Sequence, residues 1–188
     1  MKKLALMLSL LMFAATSFAQ NKHSHNDDNV VNWRNIVGVI TALNVDNPVN
    51  NGDPTDPNAI HSGTFPWSVR RGSASVDLDS GSTYFSVEGL SINGAQFSGT
   101  PGPISSVVGT LVCNPGQRNQ AAIDTDVVSL SGQGKARFAG QLVGIPSQCT
   151  NPLFLVRIAV PTGARGLWIA TATERSFGDD DRDDRNDR

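Results

Sequence analysis

Residue types that usually carry chemistry are scarce here: 188 residues include two cysteines, three histidines, two glutamates and one tyrosine. Two cysteines alone fall short of a zinc site, which needs further nitrogen or sulfur ligands. A cysteine nucleophile lacks support too, because only His61 lies outside the N-terminal region to act as its base. No G-x-S-x-G elbow occurs, and His61, in IHSGTFPW, has no nucleophile or acid partner at a motif spacing, so serine catalysis is not indicated and His61 reads as a loop residue. Long apolar runs are absent as well. The longest, Leu4 to Phe13, is well short of the roughly 20 residues that a bilayer-spanning helix needs. Beyond it, no segment keeps apolar spacings of three and four for ten residues, so helices should be scarce. Only 17% of residues are charged and the formal net charge is −2, which argues against nucleic-acid binding. No polybasic run points to anionic membranes.

What is present begins with an address. Lys2 and Lys3, the short apolar run, and Ser17-Phe18-Ala19 read as a signal peptide over residues 1–19, cut after Ala19. An exported protein of about 169 residues (188 minus 19) is the expectation, periplasmic or extracellular, of one domain and without a transmembrane segment once cleaved. In an oxidising compartment Cys113 and Cys149 are expected to form one disulfide, worth about 4 kcal/mol on the loop-entropy argument. The polar residues 20–34 read as a flexible leader before a domain at 35–178, and the Asp/Arg-rich residues 179–188 as a disordered, solvated tail.

Within the domain the pattern is that of short strands. NIVGVITAL (35–43) is β-branched and strand-sized. Asn44 to Gly63 is a long loop rich in proline, asparagine and glycine. Phe65, Trp67 and Val69 then alternate with polar or small residues, as do Ala74, Val76 and Leu78. YFSVEGL (84–90) follows Asp79-Ser80-Gly81-Ser82, so these last two runs predict a hairpin with Phe85 and Val87 facing the core and Glu88 the solvent. Further strands are expected at 106–113, 126–130, 135–143, 153–160 and 167–173. LWIATAT is apolar or small on both faces, which suits an interior strand. About nine strands punctuated by turns predict an all-β, two-layer antiparallel β-sandwich, with a closed β-barrel as the alternative. Cys113 ends one strand and Cys149 precedes another, so a bond between them makes those two strands antiparallel, as neighbours or across the sandwich.

Candidate sites are few. Asp77 and Asp79 lie on one face of a strand, about 7 Å apart by strand rise, a separation suited to glycoside hydrolysis. They also sit just before a turn, where solvated aspartates are routine, and nothing in sequence unites Glu88 with Glu174. His23 and His25, with Asp27 and Asp28, are candidate copper, nickel or zinc ligands. Cleavage after Ala19 leaves His23 fourth, whereas loss of Gln20 makes it third, the spacing of a square-planar site. In the tail Asp179, Asp181 and Asp183 match the start of a calcium loop, but Asp184 stands where glycine is needed. Among the tryptophans, Trp67 and Trp168 read as core, while Trp33, between Asn32 and Arg34, reads as the one exposed enough to stack on a sugar.

SVDLDSGSTYFSVEGL, GTPGPISSVVGTLVCNP, DTDVVSLSGQGKARFAGQL, FLVRIAV and GLWIATAT, in that order over residues 36–173, resemble small exported bacterial β-rich proteins of unassigned function. The resemblance implies a secreted β fold and supplies no active site. The hairpin is also similar to that of CHRD-type domains, which follow it with a histidine pair that is missing here. The leading functional expectation is a non-enzymatic binding or structural module that needs no cofactor and takes an extracellular protein or glycan partner, with Asn44 to Gly63 as its recognition loop. A hydrolase of polysaccharide or peptidoglycan and a metal-handling protein using His23 and His25 are the alternatives.

Overall fold

The computed structural model describes residues 29–40, 60–63, 65–94, 96–160 and 166–177. Among them are eleven strands: β1 (Val30–Gly38), β2 (Trp67–Ser68), β3 (Arg71–Asp77), β4 (Ser82–Glu88), β5 (Ser91–Ile92), β6 (Ser106–Cys113), β7 (Ala121–Asp124), β8 (Val128–Ser129), β9 (Ala136–Gln141), β10 (Leu153–Ile158) and β11 (Trp168–Phe177). Nine form one antiparallel sheet in the order β7-β6-β10-β11-β1-β3-β4-β9, with β8 beside β6, while β2 and β5 pair separately. The fold is all-β and antiparallel, as the strand pattern predicts.

The large sheet is curled into an open half-barrel, and its aromatic residues show how far it bends. Strands β4 and β10 stand four places apart in the order, about 19 Å in a flat sheet at the usual spacing. Yet Phe85 of β4 and Phe154 of β10 have ring centroids 5.5 Å apart, and Trp33 of β1 lies 5.7 Å from the same Phe154. The sheet therefore folds over its own apolar face, and the two halves supply the facing layers of the core. Gly109 of β6 permits the closest approach. A Cβ there would stand 2.6 Å from Phe154 Cζ and 2.7 Å from Phe85 Cε1.

The hairpin forms as expected, with β3 and β4 in register from Arg71↔Glu88 to Val76↔Thr83 and with Ala74, Val76, Phe85 and Val87 buried. β11 is interior, between β10 and β1. The disulfide joins Cys113 to Cys149 with Cα atoms 4.7 Å apart, and the strands it links, β6 and β10, are antiparallel neighbours.

Several boundaries differ from the sequence reading. The first strand begins at Val30, so residues 30–34 belong to β1 rather than to a leader. Val31 and Trp33 are both buried while Asn32 and Arg34 are less so, strand alternation that changes phase at the exposed pair Arg34-Asn35 before buried Ile36. Trp33 is 2% exposed, a core residue rather than a sugar platform. In place of one strand at 126–130, the chain follows β6 in two pieces, β7 and β8. Between them Thr125 takes over the pairing: its N–H donates to Gly109 O at 2.9 Å and its Oγ1 accepts from Gly109 N–H at 3.0 Å. The run Phe65 to Val69 keeps only Trp67–Ser68 as strand, and Phe65 is 45% exposed.

Candidate functional site

The residues singled out for chemistry do not converge. Asp77 is buried at the end of β3 rather than solvated. Its Oδ1 accepts from the N–H groups of Asp79 and Ser80 at 2.9 and 3.1 Å, and its Oδ2 from Ser80 Oγ at 2.6 Å. This carboxylate builds the hairpin turn. Asp79 accepts instead from Asn29 Nδ2 at 2.7 Å. Glu88 sits at the other end of the hairpin, and Glu174 is a position on β11. His61 is exposed, its carbonyl accepting from Trp168 N–H at 2.9 Å. Trp67 and Trp168 are core residues, as expected.

His23, His25, Asp27, Asp28 and the tail aspartates lie outside the described residues, as does most of the Asn44 to Gly63 loop. Its last four residues are anchored: Ile60 is 1% exposed, and Gly63 N–H donates to Trp168 O at 2.7 Å. Among the described residues no group of three or more His, Cys, Asp or Glu side chains is placed to hold a metal ion.

The structure does assemble a groove on the outer surface of β4 and β9, extended by the segments that flank the β3-β4 hairpin. Because Phe85 and Val87 point inward, alternation turns Tyr84, Ser86 and Glu88 outward. The register sets Arg71 opposite Glu88 and Arg137 opposite Ser86. Two adjoining depressions result. One of about 620 Å³ is lined by Ser68, Val69, Arg70, Gly89, Ser91, Gln133 and Lys135. Another of about 350 Å³ is bounded chiefly by Tyr84, Ser86, Glu88, Ser129, Lys135 and Arg137. Lys135 borders both.

Local turns hold these side chains in place. Ser131 and Lys135 close a turn through Ser131 N–H to Lys135 O and Lys135 N–H to Ser131 Oγ, both 3.0 Å. At its tip Gly134 has φ +70°, and a Cβ would stand 2.2 Å from Leu90 O, so glycine lets the turn dock on the chain leaving β4. Leu90 N–H closes that contact on Gly134 O at 3.0 Å. Next to it, Arg70 N–H donates to Glu88 O at 2.9 Å, prolonging the β3-β4 ladder.

The groove is electropositive. Arg70, Lys135 and Arg137 line the depressions with Glu88, and Arg71 stands beside them against Glu88, four positive charges against one negative. Glu88 pairs with Arg70 at 3.0 Å and Arg71 at 3.5 Å, and these arginines are 62% and 73% exposed, so the pairings are weak and solvent-screened. Arg137 lies over the Tyr84 ring, 5.1 Å from its centroid. Lys135 makes no ion pair among the described residues. The acids Asp77 and Asp79 are held at the opposite end of the hairpin, and Asp124 on β7 pairs with Arg157.

That last pair belongs to a second polar cluster that sequence patterning does not reveal. Arg157 of β10 is 1% exposed, and its Nε donates to Thr110 Oγ1 at 2.7 Å. Its Nη2 donates to Asp124 Oδ2, whose other oxygen accepts from Thr110 Oγ1 at 2.8 Å. The cluster ties β10, β6 and β7 together and neutralises a buried guanidinium, a structural task.

One sequence signal foreshadows the groove: Lys135 and Arg137, two apart at the start of a strand, share a face. Their meeting with Arg70, Arg71 and Tyr84 depends on sheet register. No protein-family model, curated protein or solved structure matches the chain.

Proposed function

We propose that this chain is an exported bacterial protein acting as a non-enzymatic glycan-binding module, with the groove beside β4 and β9 as its ligand surface. The observation that carries this reading is the pair of adjoining depressions sharing Lys135, where hydroxyl, amide and cationic side chains on strands and a docked turn stand among Val69, Val87, Ala136 and Glu88. Such a lining offers donors and acceptors to sugar hydroxyls on a rigid frame, which limits the ordering cost of binding. The carboxylates that a hydrolase would need are engaged elsewhere, Asp77 in its turn and Glu88 between two arginines.

Export is supported by the basic start, short apolar run and small residues of 1–19, and by the disulfide, a bond at home in oxidising compartments. Expressed with its leader in a bacterial host, the protein is expected outside the cytoplasm with Gln20 as its first residue. N-terminal sequencing checks this, and cytoplasmic, uncleaved protein would refute it.

For the groove, an array of neutral and charged oligosaccharides probed with the full mature chain should give signals that Lys135→Ala/Arg137→Ala abolishes. A silent array, or unchanged signals from the double variant, would remove the groove as the binding surface.

A further inference from the structure

We infer that the ligand of this groove is an acidic polysaccharide, whose regularly spaced anionic groups are read by Lys135, Arg137, Arg70 and Arg71. The inference rests on the glycan-binding reading and narrows its substrate class. Three observations lead to it.

The first is charge segregation. The described residues contain eight lysines and arginines and six acids; the groove takes three of the bases with one acid and has a fourth, Arg71, beside it on Glu88, leaving four bases and five acids elsewhere. A chain close to neutral overall has thus gathered its surplus positive charge on one surface, which attracts and orients an anion.

The second is the layout of the cations. A site for one small anion draws its donors together, often as backbone N–H groups in a concave nest. Here the guanidiniums are spread over the sheet: Arg71 on β3 lies opposite Glu88 and Arg137 on β9 opposite Ser86, so they flank β4, about 10 Å apart across the strands and about 7 Å apart along them, roughly 12 Å on the diagonal. Charges set out in this way match an extended chain with repeating anionic groups better than a single phosphate.

The third is what lies between the charges. Ser86, Ser129, Gln133 and the Tyr84 hydroxyl are suited to sugar hydroxyls, while Ser68 and Ser91 bond to each other at 3.2 Å. Tyr84 is the chain's only tyrosine, and Arg137 already covers its ring, so no row of aromatic faces is available to stack nucleobases.

The test is affinity electrophoresis of the mature chain, residues 20–188, through gels containing polygalacturonate, dextran sulfate, neutral dextran or polyglutamate, at low and high salt. Retardation by one or both acidic polysaccharides is expected, with weakening in high salt. Carboxylate and sulfate as the source of the anion are told apart by which polymer retards. Lys135→Ala/Arg137→Ala should weaken the interaction at least about tenfold, the scale of losing charge-assisted hydrogen bonds, with its melting temperature unchanged. Arg118→Ala, an exposed arginine outside the groove, should bind as the parent does.

Groove-dependent binding of neutral dextran as strong as that of the acidic polymers would overturn the inference while leaving the glycan-binding reading intact. Equal binding of polyglutamate would overturn it in favour of an acidic protein partner. No retardation by either acidic polysaccharide, or an equal loss with Arg118→Ala, would also overturn it.

Discussion

Single residues decide more here than their types advertise. Asn114, immediately after Cys113, is 2% exposed and has φ 53°, a left-handed conformation that asparagine tolerates better than most residues. Its Oδ1 accepts from Thr150 N–H and Oγ1 at 2.9 and 2.7 Å, and its Nδ2 donates to Gln148 O at 3.0 Å. One amide thus clasps the residues on both sides of Cys149 and brings that cysteine to its partner. Asn114→Ala is expected to cost about 2–4 kcal/mol, combining left-handed strain with unpaired buried groups, as measured by urea unfolding. Asn114→Gly, free of the strain, should cost less. Trp33 and Asp77 teach a related lesson. Trp33 has polar neighbours in sequence and Asp77 is itself charged, yet both are buried, because a strand sends adjacent residues to opposite faces and a turn can supply a carboxylate with donors.

At the scale of elements, β6 is where the curled sheet is tightest. Its neighbours β10 and β7 pair along its two edges, Thr125 fills the break before β8, and Gly109 receives Phe85 from the facing layer and Phe154 from the adjoining strand β10. Gly109→Ala should therefore destabilise the fold by about 1–3 kcal/mol through overpacking, although alanine has the better intrinsic propensity. Adding Phe85→Leu to Gly109→Ala should recover part of that loss, because it removes one of the two rings that the new methyl would strike. A double-mutant cycle on chemical denaturation checks the coupling, and additive effects would contradict the packing account. The β3-β4 hairpin was readable from sequence because alternation and a turn signal agree over a short span. β7 was not: AAID is short, follows a polar turn, and becomes a strand through pairing with β6.

For the whole molecule, the disulfide and the distribution of charge matter most. Cys113 and Cys149 close a loop of 36 residues between neighbouring strands, so the crosslink restricts the unfolded chain while adding to a contact that the sheet already makes. Replacing both cysteines by serine should lower stability by about 4 kcal/mol on the loop-entropy argument and leave the strand content unchanged. Urea unfolding and far-ultraviolet circular dichroism read the two outcomes separately. A sequence count finds nine acids and nine bases between Val30 and Gly178, a balance that conceals the groove, because net charge carries no information about position.

The amino-acid sequence by itself determined what depends on neighbours a few residues apart: the absence of helical periodicity, the strand alternation, the hairpin and its inward faces. It also determined the disulfide, because only two cysteines were available to pair. Tertiary structure alone decided what depends on residues far apart in the chain. It curled one sheet over Phe85 and Phe154, buried Trp33 and Arg157, and carried Arg70 to Lys135 and Arg137 to Glu88. The physical reason is that side-chain direction along a strand has a period of two and is written locally, whereas strand order and register are settled by burial of the whole apolar surface at once.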